Sequence, residues 1–349
     1  MLRASRLAAL LCVLALAGCG GGGDEDTAGT TATGGGTTAA GETLRVGLIT
    51  DLGQLDDNGF NELAFRGLTR AEEELGIEGR VVESASAADY IPNMTALARQ
   101  GYDLIIGVGF AQGDAIGKAA QSFPDTKFAI IDVDHEWVPG QPANVQGLLF
   151  REEEVGYLVG YLAALQEERR DGPDAISAVG GFKEPPVDRF IAGYEAGAEA
   201  AVPGIEVFWN YSQDWEDQAK CKELALDQIQ RGSGVVFQVA GGCGLGALDA
   251  ARERGVWGIG VDADQSGLGD HILTSAQKGV DAAVFLTIRS LLEDEWRGGG
   301  NTTFGLEEEG VGLGTVADDV PEEDVERVEQ IAEEIRAGEI EDIPTTVSG

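Results

Sequence analysis

Histidine is almost absent from this chain: His135 and His271 are the two, and neither stands in an HExxH spacing or beside a cysteine. The GxSxG turn is missing as well, so zinc chemistry and serine or cysteine nucleophiles have no residues to stand on. Basic residues are scarce. Lys+Arg number 24 against 61 Asp+Glu, a formal charge of −37, and such a field repels nucleic acid and polyphosphate ligands. The acids of PEEDVERVEQIAEEIRAGEIEDI, at 321 to 343, are read as a solvated helix face. Long apolar runs are lacking too. The one clear run, LAALLCVLALA at 7 to 17, is shorter than the ~18 residues of a membrane span.

Arg3 and Arg6 precede that run, and Leu16-Ala17-Gly18-Cys19 follows it, small residues leading into a cysteine. This is the pattern of a lipoprotein signal peptide over 1–18, with Cys19 becoming the lipidated first residue of the mature chain. Residues 19–42 carry no large apolar side chain after the cysteine and are expected to be a flexible tether. The expected location is the extracytoplasmic face of the cell membrane, held by lipid. Cys12 leaves with the signal, so Cys221 and Cys243 remain as a pair in an oxidising compartment. They are expected to bond, since both follow strands at one sheet edge; the alternative is two free buried thiols.

From Thr43 onward about 300 residues remain, enough for two α/β lobes. Strand-like runs at 44 to 50, 80 to 84, 103 to 109, 128 to 133 and 145 to 150 alternate with helical patterns at 59 to 74, 90 to 100 and 113 to 122. After a helix at 152 to 169 the series restarts: strands at 175 to 181, 205 to 210, 235 to 240, 257 to 263 and 272 to 276, with helices at 187 to 201, 218 to 231 and 245 to 254. A helix at 279 to 297, a strand at 311 to 316 and a helix at 321 to 337 complete it. Such alternation predicts βαβ units and parallel sheets. Polar and glycine residues recur at the strand exits: Asp51, Gly107 to Phe110, Asp132 with Asp134, Gly180 to Lys183, Gly241-Gly242, and Asp262 with Asp264. In open α/β sheets ligands bind beyond those carboxyl ends, so two lobes facing through them make a cleft.

Three enzyme or metal motifs fail on inspection. GVGFAQG at 107 to 113 has one residue too many for GxGxxG and follows the third strand. Gly113 to Lys118 is one residue short of a phosphate loop, and Ala119 stands where Ser or Thr is required. Asp262-x-Asp264-x-Ser266-Gly267 opens like a calcium loop, yet its twelfth position is Leu273. A binding protein without cofactor or metal is the better class than an enzyme.

VGLITDLGQLDDNGFNELAFRGL at 46 to 68, GGFKEPPVDRFIAGYEAGA at 180 to 198, AGGCGLGALDAARE at 240 to 253, GIGVDADQ at 258 to 265 and LTSAQKGVDAAV at 273 to 284 resemble the BMP (basic membrane protein) family of substrate-binding lipoproteins of ABC transporters. The resemblance runs from about Leu44 to the C-terminus. It implies a type I periplasmic-binding-protein fold, two doubly wound parallel-sheet lobes joined by a three-crossover hinge. The N-terminal lobe would hold 43–150 plus about 277–308, the C-terminal lobe 151–276 plus about 309–349. It also implies a purine nucleoside ligand, an ABC permease and ATPase as partners, and a monomer.

Carried onto this chain, Phe60 and Trp215 would stack on the two faces of a base. Asn61 would meet a purine edge, Asp132 or Asp134 would accept from base N–H groups, and Asp262 with Lys278 would hold the ribose hydroxyls. Asp51, Gly241 and Gly242 join them from the strand exits. Bland alternatives stand beside these roles: Phe60 as a hydrophobic staple, Asp51 and Asp262 as helix caps, Lys278 as a surface residue at a helix start, Lys183 and Arg189 as surface or inter-lobe ion pairs. Gly59 replaces the family's usual Ser. Asp56 and Asp57 read as turn and helix-start residues. A sugar-binding protein of the same fold, or a sensory lipoprotein without transport, are the competing functions.

Overall fold

The first apolar run, RVGLI, forms β1 (Arg45–Ile49), and its last four residues are buried. Burial on both faces is what a central parallel strand demands, and it explains why such strands read as unbroken apolar runs. The computed structural model describes residues 43–348. The signal, Cys19 and the tether lie outside them.

After β1 come α1 (Phe60–Leu75), β2 (Glu78–Val82), α2 (Tyr90–Arg99), β3 (Leu104–Gly107), α3 (Gly113–Ser122), β4 (Lys127–Ile131) and β5 (Val145–Phe150). Next follow α4 (Glu152–Glu168), β6 (Ala175–Gly180), α5 (Pro185–Ala201), β7 (Glu206–Tyr211), α6 (Gln218–Gln230), β8 (Val235–Val239), α7 (Gly241–Arg254), β9 (Trp257–Asp262) and β10 (Ile272–Lys278). The chain closes with α8 (Val280–Leu292), β11 (Gly300–Phe304), β12 (Val311–Leu313) and α9 (Glu322–Arg336).

Two six-stranded sheets result, in the orders β2-β1-β3-β4-β5-β11 and β7-β6-β8-β9-β10-β12. The two halves therefore repeat one winding, in which strand order reverses between the first and third strands of each half. The reversal separates the loops after those two strands and opens a crevice at their carboxyl ends. The chain passes between the sheets three times: after β5, between β10 and β11, and between β11 and β12. Among the described residues no helix is long and apolar enough to cross a membrane.

Local chemistry sets the elements that frame the crevice. α1 begins because the Asp57 carboxylate accepts from the N–H groups of Gly59, Asn61 and Glu62, taking up donors that a helix start leaves free. It ends at Gly76, whose φ of +70° is the left-handed conformation that glycine adopts without strain. α4 and α5 cross closely: a Cβ on Gly160 would lie 2.1 Å from the Tyr194 carbonyl oxygen, and one on Gly197 2.0 Å from that of Tyr157.

Several elements depart from the sequence expectations. β11 was not expected at all; its GNTTF is polar because it is an edge strand, pairing with β5 alone. β12 is antiparallel to β10, so the second sheet is not wholly parallel. α7 starts at Gly241 rather than 245, and α8 stops at Leu292 rather than 297. β10 runs on through Lys278, beyond the expected end at 276, because β12 pairs with its last three residues.

Candidate functional site

The strand exits of both sheets line one cleft of about 170 Å³. From the first half it receives Asp51, Phe60, Asn61, Gly109, Phe110 and Asp132; from the second, Glu184, Phe190, Trp215, Gly241, Gly242, Asp262 and Lys278. The walls also touch directly, Gln265 Nε2 donating to the Asn58 carbonyl oxygen at 3.0 Å.

Asp51 sits two residues beyond the end of β1. Its backbone N–H donates to Asn61 Oδ1 at 3.0 Å, which fixes the Asn61 amide with its nitrogen left for a ligand. Tyr90 Oη donates to Asp51 Oδ1 at 2.6 Å, and the Leu52 N–H donates to the same oxygen at 2.8 Å. The second carboxylate oxygen faces Gly109, where a Cβ would lie 2.0 Å from it. Gly109 also has a φ of +104°, so the β3 exit requires glycine on both counts. Burial pushes the Asp51 carboxyl up to about 6, against the hydrogen bonds from Tyr90 and Leu52. Glu184, on the opposite wall, is pushed up to about 7 by burial and then by the charges of Asp51 and Asp132.

Lys278 is 2% exposed. Its Nζ donates to both oxygens of Asp132, at 2.7 and 2.8 Å, and lies 2.8 Å from Glu152 Oε1. Glu152 is wholly buried at the head of α4, with Arg189 Nη1 3.5 Å from its other oxygen. Burial pulls the Lys278 ammonium down, but Asp132, Glu152 and Asp262 together outweigh it and hold the pKa above its ordinary value. Asp262 is pushed up to about 7 by burial, opposed by Lys278 and reinforced by the neighbouring carboxylates. Asp132 and Asp262 end equivalent strands of the two halves, and both adopt positive φ, +71° and +63°. Left-handed conformations cost a non-glycine residue free energy and cluster where geometry is functionally constrained.

Aromatic rings line the same cleft. The Phe60 ring centre is 5.2 Å from Lys278 Nζ and that of Phe190 5.9 Å. Trp215 is held in three ways. It packs over Gly181, where a Cβ would lie 2.0 Å from its ring; its carbonyl accepts from the Cys243 N–H at 2.8 Å; and its ring centre is 5.4 Å from that of Phe182. Cys221 and Cys243 form a disulfide with Cα atoms 5.6 Å apart, tying α6 to the first turn of α7 behind the tryptophan.

The structure thus brings Asp51, Phe60, Asn61, Asp132, Trp215, Gly241, Gly242, Asp262 and Lys278 to one cleft. Asp134 is not among the lining residues; its carboxylate accepts from the Glu136 N–H and from Asn301 Nδ2. The helix cap is Asp57, while the Asp51 carboxylate is taken up by Tyr90 and Leu52. Lys278 is the buried end of a strand, not a surface residue at a helix start. Lys183 pairs with Asp188 at 2.7 Å, and Arg189 with Glu152. Sequence reasoning placed Phe110 in a strand-exit run without giving it a role, and missed Glu184, Phe190 and Glu152. A signal existed for Glu184, which sits between a strand exit and a proline-led helix start.

Residues 44–345 match the Bmp family, described as ABC transporter substrate-binding protein PnrA-like. Basic membrane protein A of Borreliella burgdorferi is 35% identical, covering 78% of this chain and 79% of the relative. The ABC transporter nucleoside-binding protein BmpA of Lactococcus lactis is 31% identical over 88% of this chain and 89% of its own. Among solved structures, a solute-binding protein of an ABC transporter system from Aeropyrum pernix K1 superimposes with a TM-score of 0.78 at 30% identity, covering 86% of this chain and 94% of that one. Relatives from Pyrococcus horikoshii and Pyrococcus abyssi are named lipoproteins. With its repeated winding and the cleft between the halves, the chain belongs to the Bmp family of ABC transporter substrate-binding proteins.

Proposed function

We propose that the protein captures a purine nucleoside between its two halves and hands it to an ABC permease, working as a lipid-anchored monomer tethered through Cys19 outside the membrane. The observation that carries this reading is the make-up of the cleft: the rings of Phe60 and Trp215 line it together with the hydrogen-bonding groups of Asn61, Asp132, Asp262 and Lys278. A flat base suits the rings, since stacking is worth about 1–3 kcal/mol per base. The ribose hydroxyls suit Asp262 and Lys278, because a diol donates to a carboxylate and accepts from an ammonium. The charge of Lys278 is already met by Asp132 and Glu152, so among the described residues lining the cleft no free cation awaits a phosphate, and a neutral nucleoside fits better than a nucleotide. The name of the Lactococcus lactis relative points to the same ligand class.

The lobes in this reading follow the two sheets, with the three chain passages between them acting as the hinge. Closure would trap the ligand because each half supplies part of its contacts. Thermal denaturation with inosine, guanosine and adenosine, against hexoses, tests the reading. Nucleosides are expected to raise the melting temperature, and Trp215→Ala to remove most of that shift. Stabilisation by hexoses with none by nucleosides would sink the proposal in favour of a sugar-binding role.

A further inference from the structure

Glu184 occupies the cap position of α5 with extended backbone, φ −128° and ψ 155°, and makes no side-chain cap hydrogen bond. The reason lies in the next two residues. Pro185 and Pro186 have no N–H, so the donors that a cap side chain ordinarily takes up in the first turn are depleted, and a proline also holds the preceding residue extended. Among the described residues no group donates to the Glu184 carboxylate, although it lines the cleft and is half-buried. A half-desolvated carboxylate without a donor is costly unless a ligand supplies one.

The groups facing it define what that ligand must offer. Asp51 lines the same cleft, close enough for its charge to act on Glu184, and one of its oxygens already takes two donors, leaving the other as an acceptor. Asn61 has spent its oxygen on the Asp51 N–H, leaving its amide nitrogen as a donor. Together the three residues offer the cleft two acceptors and one donor. A 2-amino-6-oxopurine carries the complement along one edge: an oxygen acceptor, a ring N–H and an exocyclic amine. Hypoxanthine lacks the amine, and adenine turns a ring-nitrogen lone pair towards the carboxylates.

We propose that Glu184 is a specificity-determining residue whose carboxylate accepts the 2-amino group of a 2-amino-6-oxopurine, so that guanosine is preferred over inosine and adenosine. The inference rests on the nucleoside reading above and names the base within it. Titration calorimetry on ligand-stripped protein tests it with guanosine, inosine and adenosine, using the parent, Glu184→Ala and Glu184→Gln.

At a pH well above 7, where the Glu184 carboxylate is ionised, a hydrogen bond to this charged acceptor corresponds to about 10- to 100-fold in affinity, so the parent should prefer guanosine to inosine by that factor. Glu184→Ala should bring the ratio close to one while moving the inosine affinity by less than about threefold, and Glu184→Gln, keeping a neutral acceptor, should fall between. A parent that binds both nucleosides equally, or a ratio that survives Glu184→Ala, overturns the assignment of Glu184 and leaves nucleoside binding standing. Absence of binding by all three nucleosides to the parent overturns both.

Discussion

Replacing Asp262 by asparagine should stabilise the ligand-free protein while weakening ligand capture. Asp262 is 9% exposed and its carboxyl is raised from 3.8 to about 7, burial being the leading cause. Because the folded-state value lies above the unfolded one, the native state holds the proton more tightly. The group's contribution to stability is full below about pH 4 and is lost as the pH rises towards 7. Above pH 7 the span between the two values corresponds to a cost of about 4 kcal/mol. Asparagine keeps the shape and removes the charge. It also takes from Lys278 one of the three carboxylates that hold its pKa up, which offsets part of the gain. The net expectation is about 1–3 kcal/mol of added stability at pH 8, shrinking towards zero near pH 4. Urea denaturation of ligand-free parent and variant at several pH values measures it. A variant no more stable than the parent at pH 8, or a gain that does not change with pH, would refute the reasoning. Such a cost is tolerated at sites kept for function rather than stability.

Other perturbations have equally definite outcomes. Lys278→Met keeps the aliphatic stem but strands the Asp132 and Glu152 carboxylates, both buried, and should destabilise by about 3–5 kcal/mol in the same urea assay at neutral pH. Replacing Cys221 and Cys243 by alanine opens a loop with a sequence separation of 22 and should cost about 3 kcal/mol. The same change should weaken ligand binding, because the disulfide fixes the first turn of α7, from which the residue 243 N–H holds the Trp215 carbonyl; chemical denaturation and ligand titration read the two effects separately.

The fold was legible where burial leaves a plain signature. β1, β3, β4 and β8 are buried along nearly all of their length, and their apolar runs were placed within a residue or two. β11 was not, because GNTTF is short, polar and led by glycines, which is how an edge strand differs from a central one. The start of α7 was read as loop because GGCGLG is poor in helix formers. Its glycines answer to packing instead: a Cβ on Gly246 would lie 1.9 Å from the Gln218 carbonyl oxygen, and one on Gly244 1.8 Å from Gln238 Oε1. In the cleft, Asp51, Phe60 and Asn61 could be proposed from one βα turn, whereas the Lys278–Glu152 pair spans 126 residues of chain and leaves no local pattern. Glu184 was hidden for a different reason. Its place between a strand exit and a proline-led helix start is a visible mark, but in a chain with 61 acids that mark does not single out one glutamate until the cleft around it is known.

Titration of nucleosides into ligand-stripped protein by calorimetry puts the central claim to its most direct test. The account predicts saturable binding of one purine nucleoside per chain, lost or strongly weakened in Trp215→Ala, with no heat from hexoses. Saturable binding of a hexose, with purine nucleosides producing none, would contradict it.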